Sequence, residues 1–455
     1  MMIIYKFTSY WHRLLYLVLI VGVLPSCGAT APDPPIIPTP EPPNGSEKGL
    51  FIETPALKKI KGNSIQIDPE MLYQQQISPE TLVADLRMAN VRSVHFFIVG
   101  NWDGSRNDQL LKPAYLQALK AEKIAVWFML LGNCIYGNSD LPSDWQMEFL
   151  KPYPNPGIKF FSFHRPEFVD WQINRVKRIL QNYEVDGVEF AESYFPEWKT
   201  LNGNGFYGDV SAFARKKFTE KYIGSGLATV SFDYIVKNPA VYSKWMDFRA
   251  DAILSFNKQI KKAIKEVNAD VLYAIWGMGI RQGTIAEIRE HFGLDMPALA
   301  EEVQPDVMVL QTAAQDWLDP KLPYNYLQDY ATFAKAIQAA NPKVALSIQA
   351  DIVSLGYSNP SVEKRYPIWW LRFFDLALQS GYYSNLAYEY AFSKKEGIWP
   401  KNNIDNPVPR KLYRDPSLQS AVISDAIVPL ALIKEVDAHW KMVYTEKGLG
   451  WFYIN

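Results

Sequence analysis

Several kinds of residue and motif are scarce in this 455-residue chain. It has five histidines, no two of which stand at helical spacing beside a glutamate, so the sequence predicts no metal site. Its net charge is −1, and no long basic run or basic face is present, which argues against a nucleic-acid partner. No G-x-G-x-x-G follows the first predicted strand, so a dinucleotide site is unsupported and no cofactor is expected.

The first residues have the layout of a secretory signal. Lys6, His12 and Arg13 precede an apolar run from Leu14 to Leu24, which is short for a membrane span. The tetrad at 24–27, Leu-Pro-Ser-Cys, resembles the lipobox of bacterial lipoproteins. That resemblance implies a signal peptide over residues 1–26 and a membrane anchor through acyl chains on Cys27. The alternative is an ordinary secretory signal with an incidental cysteine.

A proline-rich segment separates this signal from the rest of the chain. Residues 27–48 contain Asp33-Pro34-Pro35 and Pro40-Glu41-Pro42-Pro43, a composition typical of a semi-rigid linker that buries no core. Residues 49–455 then form the folded part, and 48% hydrophobic residues are ample for a core. If Cys27 is lipidated, Cys134 is the one remaining thiol and no intrachain disulfide can form. We expect a monomer.

Short apolar runs alternate with longer helical stretches, which favours βα units and a parallel sheet. Eight such units predict a (β/α)8 TIM barrel with extended βα loops, and a doubly wound open sheet is the alternative. After the barrel, Asp415-Pro416 predicts a last helix that runs to about Trp440, and residues 442–454 predict short strands. The predicted strands are Leu50–Glu53, Ser93–Val99, Ala125–Leu131, Gly187–Glu192, Val271–Trp276, Val307–Gln311, Val344–Gln349 and Tyr383–Glu389.

Polar and aromatic residues concentrate where the predicted strands end, which is the active-site face of such a barrel. The sequence predicts acids and amides there for catalysis and binding, and flat aromatic rings for stacking against sugars. For each residue taken singly there is a structural alternative: an acid can be a solvated loop residue, and an aromatic ring can be a core or loop anchor. In strand order the candidates are Glu53; Trp102 and Asp103; Asn133; Glu189, Glu192 and Tyr194; Trp276; Gln311, Asp316 and Trp317; Gln349 and Asp351; and Glu389, with Trp198 as a further ring.

The fourth predicted strand carries two acids. Side chains alternate along a strand, and a charge against apolar helices is costly, so we expect Glu189 to face the barrel interior. There it is either catalytic or a buried acid paired with a polar group. Glu192 lies at the strand tip, where it opens onto the rim or is an ordinary loop acid.

These residues support a family resemblance. Asp186-Gly187 opening strand four, Glu192 at its tip and Gln311 ending strand six resemble the glycoside hydrolase superfamily, as does the segment 245–249, Trp-Met-Asp-Phe-Arg. The chain is most similar to the glycosyl-hydrolase-like barrels of bacterial lipoproteins. The resemblance implies a carboxylate pair in which one group donates a proton and the other stays ionised.

The same resemblance assigns roles and shows departures. It implies Glu192 as the general acid/base; for the second carboxylate we predict Asp351 first and Glu389 next. Ala191 stands where related glycosidases have a sugar-binding asparagine, and strand seven lacks their terminal glutamate. Ala191 and Ser193 also replace two acids of the chitinase pattern D-G-x-D-x-D-x-E, which excludes that mechanism.

The sequence thus predicts a lipid-anchored glycoside hydrolase at the bacterial cell envelope, acting on a carbohydrate. The alternative is a non-catalytic glycan-binding lipoprotein that keeps the barrel. An enzyme of unrelated chemistry on the same fold is a third possibility.

Overall fold

The computed structural model describes residues 51–105, 110–196, 206–357, 359–401 and 407–454. The predicted signal peptide, the linker, the lipidation site Cys27 and the ring of Trp198 lie outside the described residues. Within these ranges, no helix is both long enough and apolar enough to cross a membrane.

Eight parallel strands close into a barrel, which confirms the predicted fold class. The hydrogen-bonded order around the ring is β1-β10-β9-β8-β7-β6-β3-β2, and β1 pairs with both β10 and β2. Strands β4 and β5 form a separate hairpin between β3 and the following helix. The strands are β1 Gly62–Ile67, β2 Val91–Ile98, β3 Ala125–Leu131, β4 Cys134–Tyr136, β5 Ile158–Phe160, β6 Gly187–Ala191, β7 Leu272–Met278, β8 Val307–Gln311, β9 Ala345–Asp351 and β10 Ser384–Tyr388.

The prediction for the first strand is wrong. Residues 51–53 are irregular, and the strand is Gly62–Ile67, with sequence GNSIQI. Its buried polar side chains are bonded inside the protein; Ser64, for example, donates to the Asn385 carbonyl. This strand therefore has no continuous apolar run, and the apolar pattern used for prediction does not mark it.

Helices cover the outside of the ring between the strands. Ser78 is an N-cap, since its hydroxyl accepts from the Thr81 N–H at the start of a helix whose first residue is Pro79. The helices are α1 Pro55–Ile60, α2 Pro69–Gln74, α3 Pro79–Met88, α4 Pro113–Ala121, α5 Pro166–Asn182, α6 Ala212–Phe218, α7 Phe232–Lys237, α8 Pro239–Val267, α9 Ile285–Phe292, α10 Met296–Ala298, α11 Ala314–Trp317, α12 Ala331–Ala340, α13 Ser354–Tyr357, α14 Pro367–Gln379 and α15 Tyr390–Lys395.

The Asp186-Gly187 pair that opens β6 has a structural explanation. Asp186 accepts a hydrogen bond from the Val126 N–H on β3 at 2.9 Å and pairs with Lys59 at 3.0 Å. A Cβ on Gly187 would lie 2.3 Å from the ring of Trp127, so glycine lets β3 and β6 approach across that indole. The pair sets the position of the strand that carries Glu189 and Glu192.

The chain ends in a five-stranded antiparallel sheet instead of the predicted last helix. Asp415 and Ser420 close a turn, and the β-branched residues after it favour strands over a helix. The strands predicted over residues 442–454 are confirmed. The sheet order is β12-β11-β15-β14-β13, with strands β11 Arg410–Tyr413, β12 Val422–Ile427, β13 Ala431–Glu435, β14 Trp440–Thr445 and β15 Gly448–Tyr453.

Candidate active site at the barrel mouth

A buried carboxylate lies in the middle of the barrel. Glu189 on β6 is fully buried, with Oε1 2.6 Å from His95 Nδ1 on β2 and Oε2 accepting from Trp276 Nε1 on β7 at 3.0 Å. The His95 ring stacks on Trp127, with ring centroids 5.3 Å apart. The structure thus places Glu189 and Trp276 inside the barrel, where Glu189 has polar partners on two other strands.

Two glutamines lie beside each other near the C-terminal ends of the strands. Gln311 on β8 is in register with Gln349 on β9, and the Gln349 amide donates to Gln66 on β1 at 3.4 Å. Both Gln311 and Gln349 are buried, and among the described residues their Oε1 atoms have no hydrogen-bond partner. Buried acceptors are normally satisfied, so these two enclosed oxygens are exceptions to the rule.

Glu192 lies immediately after β6, at the rim of the barrel mouth, which is the opening formed by the C-terminal ends of the eight strands. Its φ of +51° interrupts the strand alternation, and its Oε2 accepts from Cys134 Sγ at 3.3 Å and from the Tyr136 hydroxyl at 3.2 Å. The residue is partly buried. Burial raises the pKa of the Glu192 carboxyl, and the hydrogen bonds from Cys134 and Tyr136 oppose that rise.

Tyrosines surround this carboxyl. Burial and then the charge of Glu192 raise the pKa values of Tyr136, Tyr153 and Tyr194 above their usual range. The Tyr194 ring also packs edge-on against Phe292 at 5.5 Å between centroids, so it is anchored from behind. These phenols are hydrogen-bond donors with apolar rings, which is a suitable lining for a sugar.

Acids also lie on the other side of the mouth. Tyr388 at the end of β10 is in register with Asp351 on β9 and directly precedes Glu389. Burial, then the charges of Glu389, Asp68, Asp351 and Glu192, raise the pKa of Tyr388. Acids on both sides of the mouth therefore raise the pKa of Tyr388, whose side chain is partly exposed.

The two predicted partners of Glu192 are deeply buried. Glu389 caps α15, with Oε2 accepting from the Ala391 N–H at 3.0 Å and Oε1 from the Phe392 N–H. Burial and the nearby Asp68 raise the pKa of Glu389 to about 8. Asp351 is also fully buried and accepts from the Val353 N–H at 2.7 Å.

Three predicted site residues lie away from the mouth. Glu53 accepts from Lys61 at 3.0 Å and from Tyr383 at 2.9 Å, next to the strand starts, because the true first strand begins at Gly62. Trp102 packs edge-on against Phe128 and Tyr183 in the helix layer. Asp103 forms an ion pair with Arg178 of α5.

Three further predicted residues are held in local networks. Asn133 is fully buried and donates to the Phe161 carbonyl of the hairpin at 3.4 Å. The Tyr330 hydroxyl donates to Asp316, and Trp317 Nε1 donates to Thr312 at 2.7 Å. Their hydrogen bonds hold the βα loops in position.

The sequence interpretation missed three residues at the mouth and in the interior, namely Asp68, His95 and Tyr388. Asp68 follows the alternating run Ser-Ile-Gln-Ile of β1 and precedes Pro69, a cap-then-proline pattern identical in kind to the one at Ser78-Pro79. That pattern could have revealed Asp68. Tyr388 adjoins the predicted Glu389, and nothing in the sequence distinguishes His95.

A cleft of about 340 Å³ lies outside the ring, between α5 and α8. His164 and Phe248 line it, with ring planes stacked at 4.0 Å between centroids. None of the predicted site residues lines this cleft, so the strand ends remain the candidate active site.

No protein-family model and no curated protein sequence matches the chain. Solved structures do. The glycoside hydrolase domain of PgaB (BpsB) from Bordetella bronchiseptica superimposes with a TM-score of 0.54 at 14% identity, over 74% of this chain and 96% of that one. The catalytic domain of β-amylase from Paenibacillus polymyxa gives 0.48 at 11% identity, over 72% and 92%. The β-galactosidase of Halorubrum lacusprofundi gives 0.49 at 12%, over 72% and 52%. The chain thus has a TIM-barrel fold similar to that of the PgaB glycoside hydrolase domain.

We expect Trp276→Phe to destabilise the barrel by about 1.5–3 kcal/mol, because it removes a donor from the buried Glu189 carboxylate. Urea unfolding of the purified variant measures this change. Trp399→Phe is the matched control, since its indole donates to the neutral Asp85 carbonyl at 3.1 Å and its loss should cost about 1 kcal/mol. If the two substitutions lower the free energy of unfolding equally, the hydrogen bond to Glu189 contributes no more than one to a neutral carbonyl.

Proposed function

We propose that the protein is a glycoside hydrolase that cleaves an oligo- or polysaccharide at the bacterial cell envelope. The observation that carries this proposal is Glu192, a partly buried carboxyl at the tip of β6 with a raised pKa. A raised pKa favours the protonated form of the carboxyl, and that form can donate its proton to a glycosidic oxygen. Acids across the mouth are candidates for the second role.

The lining of the mouth supports a carbohydrate substrate. Tyr136 and Tyr194 offer phenol groups beside Glu192. A solved structure with this fold is named as a glycoside hydrolase domain. That likeness agrees with the proposal without fixing the sugar or the linkage.

A second candidate function is glycan binding without cleavage. The observation that favours it is the burial of both predicted partners, Asp351 and Glu389, whose carboxyl groups accept backbone hydrogen bonds. Ala191 also lacks an amide for a sugar hydroxyl. In this case the mouth would bind a glycan, but no carboxylate pair would act on it.

Substitution of the acid separates these functions. The full chain is tested against a panel of plant, host and microbial polysaccharides and 4-nitrophenyl glycosides, with reducing ends and nitrophenol as the readouts. We expect Glu192→Gln to lower kcat by roughly 10²–10⁴-fold, because it removes the general acid. Glu301→Gln, at an exposed position after α10, should leave kcat unchanged.

The binding alternative predicts a different pattern. If wild type and Glu192→Gln bind a glycan equally and neither cleaves it, the protein is a binding protein. If Glu192→Gln cleaves as fast as wild type, Glu192 is not the acid.

The pH profile tests how Glu192 is tuned. Tyr136→Phe removes a donor that stabilises the ionised carboxylate, so the pKa of Glu192 rises further. A general acid works only while protonated, and the basic limb of kcat/KM should therefore move to higher pH. In Tyr153→Phe the limb should stay in place, since that hydroxyl makes no hydrogen bond to Glu192. A limb that moves to lower pH, or not at all, in Tyr136→Phe contradicts the assignment.

We also propose that Cys27 is lipidated and anchors the barrel to the membrane, on the basis of the lipobox-like tetrad at 24–27. Wild type expressed in a bacterium should sediment with membranes and incorporate labelled palmitate. Cys27→Ser should lose the label and the membrane association. Label retained in Cys27→Ser would refute the anchor.

A further inference from the structure

Asp68 is the acid at the C-terminal end of β1, the strand that the sequence pattern did not reveal. Its Oδ1 accepts from the Glu70 N–H at 2.9 Å and from the Met71 N–H at 3.3 Å, and so caps α2. Among the described residues, Oδ2 accepts no hydrogen bond, and Asp68 is partly exposed. One carboxylate oxygen is thus held by the backbone while the other is open.

The neighbouring acids are less accessible. Glu389 accepts from the Asp68 N–H at 3.4 Å in addition to its two bonds within α15, so both of its oxygens are engaged. Asp351 is fully buried. Of the three acids on this side of the mouth, Asp68 is the one that a substrate or a water molecule can reach.

The barrel order sets Asp68 across the mouth from Glu192. Their strands, β1 and β6, are three places apart in the ring, through β2 and β3. With strands about 4.8 Å apart and tilted in an eight-stranded barrel, such backbones are on the order of 13 Å apart. Acids on backbones this far apart fit the wider spacing of an inverting pair, about 6.5–9.5 Å between carboxyl groups, better than the spacing of about 5 Å in a retaining pair. The charges of both acids reach Tyr388.

We propose that Asp68 is the second carboxylate of the reaction and acts as the general base of an inverting hydrolase. This inference rests on the proposed glycoside hydrolase function. Asp68 takes a proton from water as the water oxygen bonds to the anomeric carbon. The glycosidic C–O bond breaks, and Glu192 gives its proton to the leaving oxygen. One water is consumed, and the two carboxyl groups end with exchanged protonation states, which proton exchange with solvent resets.

A fully structural role for Asp68 as a helix cap makes a different prediction. Asparagine and serine are both good caps, so Asp68→Asn and Asp68→Ser preserve that role and should keep the melting temperature of wild type. Neither can act as a base. We expect both variants to lose at least 10²-fold in kcat on the substrate that wild type cleaves in the panel, with little change in KM.

Four variants of the full chain, Asp68→Asn, Asp68→Ser, Asp351→Asn and Glu192→Gln, are compared with wild type, and NMR follows the first-formed product anomer. Loss of kcat in both Asp68 variants at unchanged melting temperature, with inverted product, supports the inference. Wild-type kcat in the Asp68 variants while Glu192→Gln is inactive overturns it and leaves the proposed function intact. A retained anomer, or loss confined to Asp351→Asn, also overturns it. A wild type that cleaves nothing in the panel overturns both.

Discussion

The geometry of the barrel mouth depends on the hydrogen bonds that the buried Glu189 makes with His95 and Trp276. Glu189 joins three strands, because His95 on β2 and Trp276 on β7 both reach it on β6. An acid without partners in that interior would be strongly destabilising, and the hydrogen bonds from His95 and Trp276 offset that cost. Since β6 is fixed in this way, Glu192, three residues further along the chain, leaves the strand at a defined point beside Tyr136. The position of the candidate acid follows from a contact that does no chemistry itself.

The sequence predicted the architecture well where strands are apolar on both faces. β3 Ala125–Leu131 and β8 Val307–Gln311 match the predicted bounds, because parallel strands covered by helices consist of continuous hydrophobic runs. It failed at β1 Gly62–Ile67, whose polar side chains are satisfied inside the barrel. It failed again at β12 Val422–Ile427, where a cap-then-proline pattern at Asp415 forms a turn instead of a helix start.

The candidate site was predicted in part. Strand alternation placed Glu189 inside the barrel, and the strand tip placed Glu192 at the mouth, both from local pattern. A strand end does not determine whether the next side chain faces the barrel interior or the helix layer, because that depends on tertiary packing. Trp102 follows β2 in sequence, yet it packs against Phe128 on the helix side of the barrel. Asp68 was missed because the first strand was predicted too early in the chain. The acid at its C-terminal end was therefore taken to be Glu53, whereas the true strand is followed by Asp68.

A glycan that is cleaved at the mouth must bind between Glu192 and the acids beside Tyr388. A crystal structure of Glu192→Gln with an oligosaccharide that wild type cleaves would reveal this binding mode. We expect a glycosidic oxygen within hydrogen-bonding distance of the substituted side chain, with the sugar extending toward the acids beside Tyr388. An oligosaccharide bound in the cleft between α5 and α8, or on the C-terminal sheet, with the mouth empty would contradict it.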